Sequence, residues 1–198
     1  MINQRSRIFF FSAPVFFTWV LLMSAGIART QTLGEPEHFT ASAVDINTGK
    51  IGRIEVQVNR WSTTAERTEL TQTLFKKGPQ ALLEAVRDKR SVGRIYSTGS
   101  IGYDLRFAYQ RKLPDGGREI VLATDRPMSV WELTNQPRSA DYPFTWVQLQ
   151  MRPDGTGDGK LAVAARIIGE EADRLIEVED YALRPVRLNG VKSTKGNN

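Results

Sequence analysis

Several segments of this sequence alternate polar and apolar residues with a period of two, and this pattern limits the fold more than any other feature. In the segment Arg53–Arg60, Ile54, Val56 and Val58 fall on one face of an extended chain, and polar residues fall on the other. The segment Tyr103–Gln110 repeats the arrangement with aromatic residues. Because successive side chains of a strand point to opposite faces of a sheet, such segments are typical of strands with one buried face.

Further strands with the same pattern are bounded by residues typical of turns. They are His38–Ile46, Arg118–Thr124, Met128–Thr134, Phe144–Met151, Lys160–Ile168, Arg174–Ala182 and Val186–Val191. Short connections such as Asn47-Thr48-Gly49 permit only antiparallel pairing of the strands they join. About nine strands exceed a comfortable open sheet. We therefore predict a mainly β (α+β) fold, either an antiparallel β-barrel or a two-sheet sandwich, with an inserted helical hairpin.

The helical hairpin interrupts the strand pattern after Trp61. Thr63 and Glu66 have the spacing of a capping box, which predicts a helix start. Gly78 is a favourable residue just past a helix end, and Pro79 is favourable in a first helical turn. Helices are therefore expected near residues 64–77 and 79–89, covering one opening or one face of the β structure.

The N-terminus has the composition of an export signal. Arg5 and Arg7 precede the charge-free apolar run Ile8–Met23, and Gly26 and Ala28 are small residues at the positions that a signal peptidase prefers. We predict that residues 1–28 are a signal peptide cleaved after Ala28. The alternative is an uncleaved membrane anchor over Ile8–Ala28, which is long enough to span a bilayer.

Both interpretations place the rest of the chain outside the cytoplasm, so a periplasmic or secreted location is predicted. In this scheme residues 29–37 form a flexible lead-in, residues 38–191 form a single β-rich domain, and residues 192–198 form a disordered tail. Membrane contact is expected only through the apolar run, and only if it is retained.

Composition excludes several kinds of chemistry. The chain has no cysteine, which removes disulfides, thiol nucleophiles and cysteine-based metal sites. The sole histidine, His38, lies beside the predicted lead-in, where nothing would hold an imidazole for catalysis. We therefore predict no catalytic residue, no metal and no cofactor. The net charge is +5, but basic and acidic residues are interspersed along the chain and form no long basic block. No nucleic acid partner is therefore expected.

One acidic turn resembles the opening of a calcium loop. Asp154, Thr156 and Asp158 alternate before Gly159, as oxygen ligands do in such loops. The twelfth position, which should supply an acidic ligand, is Ala165. A hairpin turn is the better interpretation.

Aromatic residues near the predicted strands form the most suggestive group. If they line a barrel mouth, they could hold a small apolar or sugar ligand, and a nearby arginine could pair with an anionic part of it. Core packing of the aromatic rings and cross-strand ion pairing of the arginine are the alternatives. The candidate ligand-binding residues are Trp61, Tyr103, Arg106, Phe107, Trp131 and Trp146.

Several stretches also resemble a known group of proteins. They are Trp61–Arg67, Gly102–Arg106, Ala123–Pro127 and Asp141–Thr145, the last preceded by Asn135–Arg138. Together they resemble a group of uncharacterised exported bacterial proteins of unknown function. The resemblance implies a single exported bacterial domain. It implies no activity and no catalytic residues.

Three function classes follow from these features. The leading hypothesis is a non-enzymatic binding module for a small molecule or an envelope component. The second is a carboxylate-dependent hydrolase, if acids from separate strands converge. The acids concerned are Asp104, Asp125, Glu177 and Glu179. The third is a structural envelope protein, recognised by its protein partners. The sequence leaves the oligomeric state open.

Overall fold

The computed structural model describes residues 34–97, 99–128, 141–170, 175–182 and 184–195. Its elements, in chain order, are β1 (Glu37–Val44), β2 (Ile51–Val58), α1 (Thr64–Arg87), β3 (Gly93–Ser97), β4 (Tyr103–Lys112), β5 (Arg118–Thr124), β6 (Phe144–Met151), β7 (Thr156–Glu170), β8 (Leu175–Asp180) and β9 (Val186–Lys195). The predicted export signal lies outside the described residues. So does the predicted strand Met128–Thr134 beyond its first residue.

Eight strands close into an antiparallel barrel. Neighbours follow the order β6-β5-β4-β3-β2-β1-β9-β7, and the pairing of β6 with β7 completes the ring. β7 is fifteen residues long and serves two purposes. Its first part pairs with β6 and β9, while Ala165–Glu170 pairs with β8, which stays outside the ring. The prediction of a mainly β fold is confirmed, and of its two forms the barrel is the one present.

Apolar side chains of the barrel strands fill its interior. The inward faces contribute one continuous buried cluster that draws on all eight strands of the ring. Its largest side chains, each under 2% exposed, include Phe39, Ile54, Ile95, Leu105, Ile120, Leu122, Leu149, Leu161 and Leu188. Burial of this apolar surface is the main stabilising term for the ring. The barrel is therefore a packed core and not a container.

One buried ion pair crosses the interior at the end where β1 and β5 begin. Arg118 of β5 donates from Nη1 to Glu37 Oε2 of β1 at 2.7 Å, and its Nη2 donates to Oε1. Gln110 accepts a second bond from Arg118 at 2.9 Å, and Ser193 donates to Glu37. Glu37 is only 4% exposed. The two strands are not neighbours in the sheet, so the pair links opposite walls of the barrel.

The helix has the start and the interruption that the sequence predicts. Thr63 and Glu66 form the capping box in both directions. Gly78 has a φ of 84° and a ψ of −177°, so the helix kinks there and resumes at Pro79. One kinked element ending at Arg87 thus stands where the sequence suggests two adjacent helices.

One strand, β3, and several strand boundaries differ from the sequence-based expectation; β7, for example, runs over Thr156–Glu170 where Lys160–Ile168 is predicted. β3 was not predicted, because it is five residues long and begins with a glycine. A Cβ on Gly93 would lie 2.0 Å from the carbonyl oxygen of Gln57 on β2, so close strand approach requires glycine there. β9 continues to Lys195, so Lys192–Lys195 pairs with β1 where a disordered tail was expected. Within the described residues, no helix is both long and apolar enough to cross a bilayer.

Candidate ligand-binding groove

α1 packs on the outer surface of the barrel. It contacts β7 on one side and, less extensively, β4 on the other. A second apolar cluster joins the two layers: Leu70, Leu74, Leu82, Leu83 and Val86 from the helix meet Phe144, Ala162, Ala165 and Ile167 from the strands. The helix thus bridges the outer face of β5 and β6, which lie between β4 and β7 in the ring.

A groove of about 200 Å³ remains under this bridge. Its walls are apolar for most of their length, and five charged or hydroxyl side chains complete the lining. The lining residues are Arg67, Leu70, Thr71, Leu74, Leu82, Val86, Phe107, Tyr109, Arg111, Glu119, Val121, Ala123, Phe144, Trp146, Ile167 and Ile176.

A small residue between two aromatic residues creates the depression in the floor. Ala123 of β5 is the register partner of Phe107 on β4 and of Trp146 on β6. The two rings rise on either side of the methyl group of Ala123. Since all three lie on the outer face of the barrel, the space between them faces the helix. Phe107 and Trp146 thus belong to the groove and not to the barrel interior.

Charged residues lie toward the end of the groove nearest the β4–β5 turn. Arg111 and Glu119 are register partners on β4 and β5 and form an ion pair. Gln148 also donates to Glu119, at 2.6 Å. Burial alone would raise the pKa of Glu119, but the hydrogen bonds from Arg111 and Gln148 outweigh burial and hold that pKa below its usual value. Glu119 is therefore a carboxylate at neutral pH.

Arg67 approaches the same end from the helix. Its guanidinium carbon lies 5.0 Å from the centre of the Tyr109 ring, and Tyr109 precedes Arg111 on the same face of β4. This distance is within the range of a cation–π contact. The polar end of the groove therefore carries two arginines and one carboxylate.

The structure separates the residues that the sequence singled out. Trp61 is 3% exposed in the barrel core, and its Nε1–H donates to the carbonyl oxygen of Glu35 at 3.0 Å. Tyr103 is also in the core. Arg106 donates to Asp125 at 3.3 Å and to the carbonyl oxygen of Lys89 at 3.0 Å. Trp131 lies outside the described residues. Of the six candidates, Phe107 and Trp146 line the groove.

The candidate acids engage different arginines. Asp104 pairs with Arg94 at 3.2 Å, and Asp125 with Arg106 at 3.3 Å. Glu179 binds Arg166, its register partner on β7, and accepts a hydrogen bond from the Tyr142 hydroxyl at 2.6 Å. Glu177 is exposed on β8.

The remaining metal and proton-transfer candidates have structural partners. His38 lies within β1, and its Nε2 is 3.8 Å from Glu55 Oε2. Asp154 accepts from the backbone N–H and the hydroxyl of Thr156, and these bonds lower its pKa. In the part of the chain that the structure describes, no group of three or more histidine and acidic side chains could hold a metal ion.

Sequence reasoning missed the groove because it followed one face of each strand. β5 is apolar on both faces: Ile120 and Leu122 point into the barrel, while Val121 and Ala123 point outward to the helix. A strand that is apolar on both faces is covered on both sides. This signal was present in the sequence and predicts a second layer over β5.

Comparisons of the chain with protein-family models, with curated proteins and with solved structures found no match. Small barrels host many unrelated functions, so the fold alone assigns none. The functional argument therefore depends on the groove itself.

Proposed function

We propose that this chain is an exported binding module that holds the apolar part of a small molecule in the groove between α1 and β4–β6. The groove, about 200 Å³ and mostly apolar in lining, is the observation that carries the proposal. Ligand sites are typically concave and apolar with a few polar groups that fix orientation, and this groove has that composition.

The lining favours an apolar ligand over a sugar. Trp146 and Phe107 could stack on a sugar ring, but sugar hydroxyls require hydrogen-bond partners when they are removed from water. The charged lining residues Arg67, Arg111 and Glu119 lie at one end of the groove, whereas the floor around Ala123 is apolar. An aliphatic or aromatic group gives up no hydrogen bond with water when it enters such a space.

The volume sets the size of the occupant. A cavity of about 150 Å³ lined by apolar side chains binds benzene. By that scale, a groove of about 200 Å³ accommodates roughly eight carbon atoms. The expected ligand is therefore a short acyl chain or a single substituted ring.

Export is the second part of the proposal. It is supported by the basic residues Arg5 and Arg7, the apolar run Ile8–Met23 and the small residues Gly26 and Ala28. Mass determination of the N-terminus of the exported product checks this part. An intact Met1 would contradict cleavage.

Titration with n-octanol, followed by tryptophan fluorescence, to which Trp146 in the groove contributes, and by thermal unfolding, tests binding in the groove. Ala123→Leu fills the floor, so we expect its affinity for octanol to fall at least about tenfold, which corresponds to about 1.4 kcal/mol. Ala65→Leu is the matched control, because it adds the same atoms at an exposed helix position. Equal octanol binding by the wild type and Ala123→Leu would contradict the proposal.

A further inference from the structure

We propose that the ligand of this groove is a singly charged anionic amphiphile whose acidic head binds Arg67 while its apolar tail lies over Ala123. This inference rests on the proposed function, since it names the class of molecule that the same groove takes. It depends on the charges at one end of the groove and on which of them are already paired.

Arg67 has no carboxylate partner among the described residues, and its guanidinium lies over the Tyr109 ring. The acids nearest to it on α1 are engaged elsewhere. Glu66 binds Arg60 through both oxygens at 3.1 Å and closes the capping box with Thr63. Glu69 binds Lys89 at 2.6 Å. Arg67 is therefore a cation at the groove with its hydrogen-bond donors available.

The position of Arg67 is unfavourable for the helix itself. It lies four residues after the N-cap Thr63, near the end of the helix where the dipole favours negative charge. Helix stability therefore does not explain a positive charge there. A bound anion between Arg67 and the helix start would interact favourably with both.

The other charges of the groove end cancel. Arg111 and Glu119 form an ion pair, and Gln148 supplies a further bond to Glu119. The net charge that a ligand meets is thus the single positive charge of Arg67. Stacking on Tyr109 holds the guanidinium plane beside the apolar lining, so a head group bound there leaves its tail in the groove.

Three ligands of equal chain length test the head-group preference: octanoate, n-octanol and octyltrimethylammonium. We expect octanoate to bind at least about tenfold more tightly than octanol, because a carboxylate accepts charge-assisted hydrogen bonds from a guanidinium and a neutral hydroxyl does not. The cationic ligand should bind most weakly. Octanoate affinity should also fall as NaCl is raised, since the head group is exposed, while octanol affinity should not.

Arg67→Gln should remove the preference for octanoate over octanol. Arg87→Gln is the matched control, because Arg87 is exposed on the same helix but does not line the groove. It should keep the wild-type preference.

Failure of this inference is distinguishable from failure of the proposed function. Equal binding of octanoate and octanol, or an unchanged octanoate affinity in Arg67→Gln, would overturn the anionic head and leave the apolar groove intact. If none of the three ligands binds to the wild type, the groove is not a site for short chains and both proposals fall. The salt dependence measured on the wild type tests the charge contribution without any substitution.

Discussion

Asp180 at the end of β8 carries a carboxylate in an unfavourable position. Its Oδ1 accepts from the backbone N–H of Ala182 at 3.0 Å, whereas Oδ2 is buried with no partner in the described part of the chain. Burial, together with the nearby charge of Asp45, raises the pKa of Asp180 to about 6. Such a position cannot be predicted from sequence, because it depends on where β1 and β8 end relative to each other.

The raised pKa predicts a specific pH dependence. The folded state holds the Asp180 proton more tightly than the unfolded chain, where the pKa is about 4. This contribution to the free energy of unfolding is complete below about pH 4 and is lost as the pH rises through about 6. After discounting for solvent screening at this half-buried site, the contribution amounts to about 1–2 kcal/mol.

Asp180→Asn removes this contribution to the pH dependence of the free energy of unfolding, because the amide does not titrate. We expect the variant to be more stable than the wild type at pH 7 and to lose the part of the pH dependence that lies between pH 4 and 6. Urea unfolding at several pH values measures both effects. Glu177→Gln, an exposed carboxylate on the same strand, is the control. Parallel pH profiles for wild type and Asp180→Asn would refute the assignment.

At the scale of elements, α1 depends on its kink. Gly78 has φ 84°, in the left-handed region, and a Cβ placed on it would have no atom within 4 Å. The kink lets the two helical segments present Leu70, Leu74, Leu82 and Val86 to one groove. The Gly78-Pro79 pair in the sequence predicts this interruption, because the two residues end and start helices for known steric reasons.

Gly78→Ala therefore tests backbone strain without a steric clash. A non-glycine residue with φ 84° and ψ −177°, a conformation that essentially only glycine adopts, costs about 1–3 kcal/mol, and we expect a loss of that size in the free energy of unfolding. The measurement is urea unfolding at pH 7. Gln80→Ala, at an exposed position of the same helix, should change the stability by less than about 0.5 kcal/mol. A Gly78→Ala variant as stable as the wild type would show that the helix can relax the kink.

At the scale of the whole molecule, the Glu37–Arg118 pair joins parts of the chain that are 81 residues apart. Removing Glu37 leaves Arg118, whose side chain is 23% exposed, without its carboxylate; breaking a fully buried pair typically costs about 3–5 kcal/mol, which is the upper bound here. For Glu37→Gln we expect about 3 kcal/mol, the lower end, because Arg118 keeps its bond to Gln110.

The double variant Glu37→Gln/Arg118→Met distinguishes two contributions: the stabilisation from the ion pair itself and the cost of leaving Arg118 without its carboxylate. It should recover much of the stability lost in Glu37→Gln, since no unpaired charge remains in the core. Chemical unfolding of the wild type and the two variants measures this. A single variant that loses under about 1 kcal/mol would show that water reaches Arg118 and replaces the carboxylate.

Local patterns account for most of the elements and for little of their assembly. Alternation in Arg53–Arg60 and Tyr103–Gln110 predicts strands because the side-chain period is a local property. Closure of the ring depends on the pairing of β6 with β7 and of β1 with β9, and the latter brings together residues from opposite ends of the described chain. Glu37 illustrates the limit: in sequence it belongs to a polar lead-in, yet long-range pairing buries it.

The groove was only partly predictable for the same reason. Aromatic residues on strands predict a ligand site, which stays a prediction; of the six residues concerned, Phe107 and Trp146 line the groove. The space between them exists because Ala123 falls in register with both, and register is set by pairing across three strands. The helical wall of the groove is a tertiary contact between α1 and the barrel, which local sequence patterns do not predict.

The packed interior of the barrel affects how a ligand on its outer surface would exchange with solvent. A ligand between α1 and the outer face of β5 and β6 would enter and leave without breaking an inter-strand hydrogen bond, because it never enters the barrel interior. Exchange of such a ligand would therefore not require unfolding of the barrel.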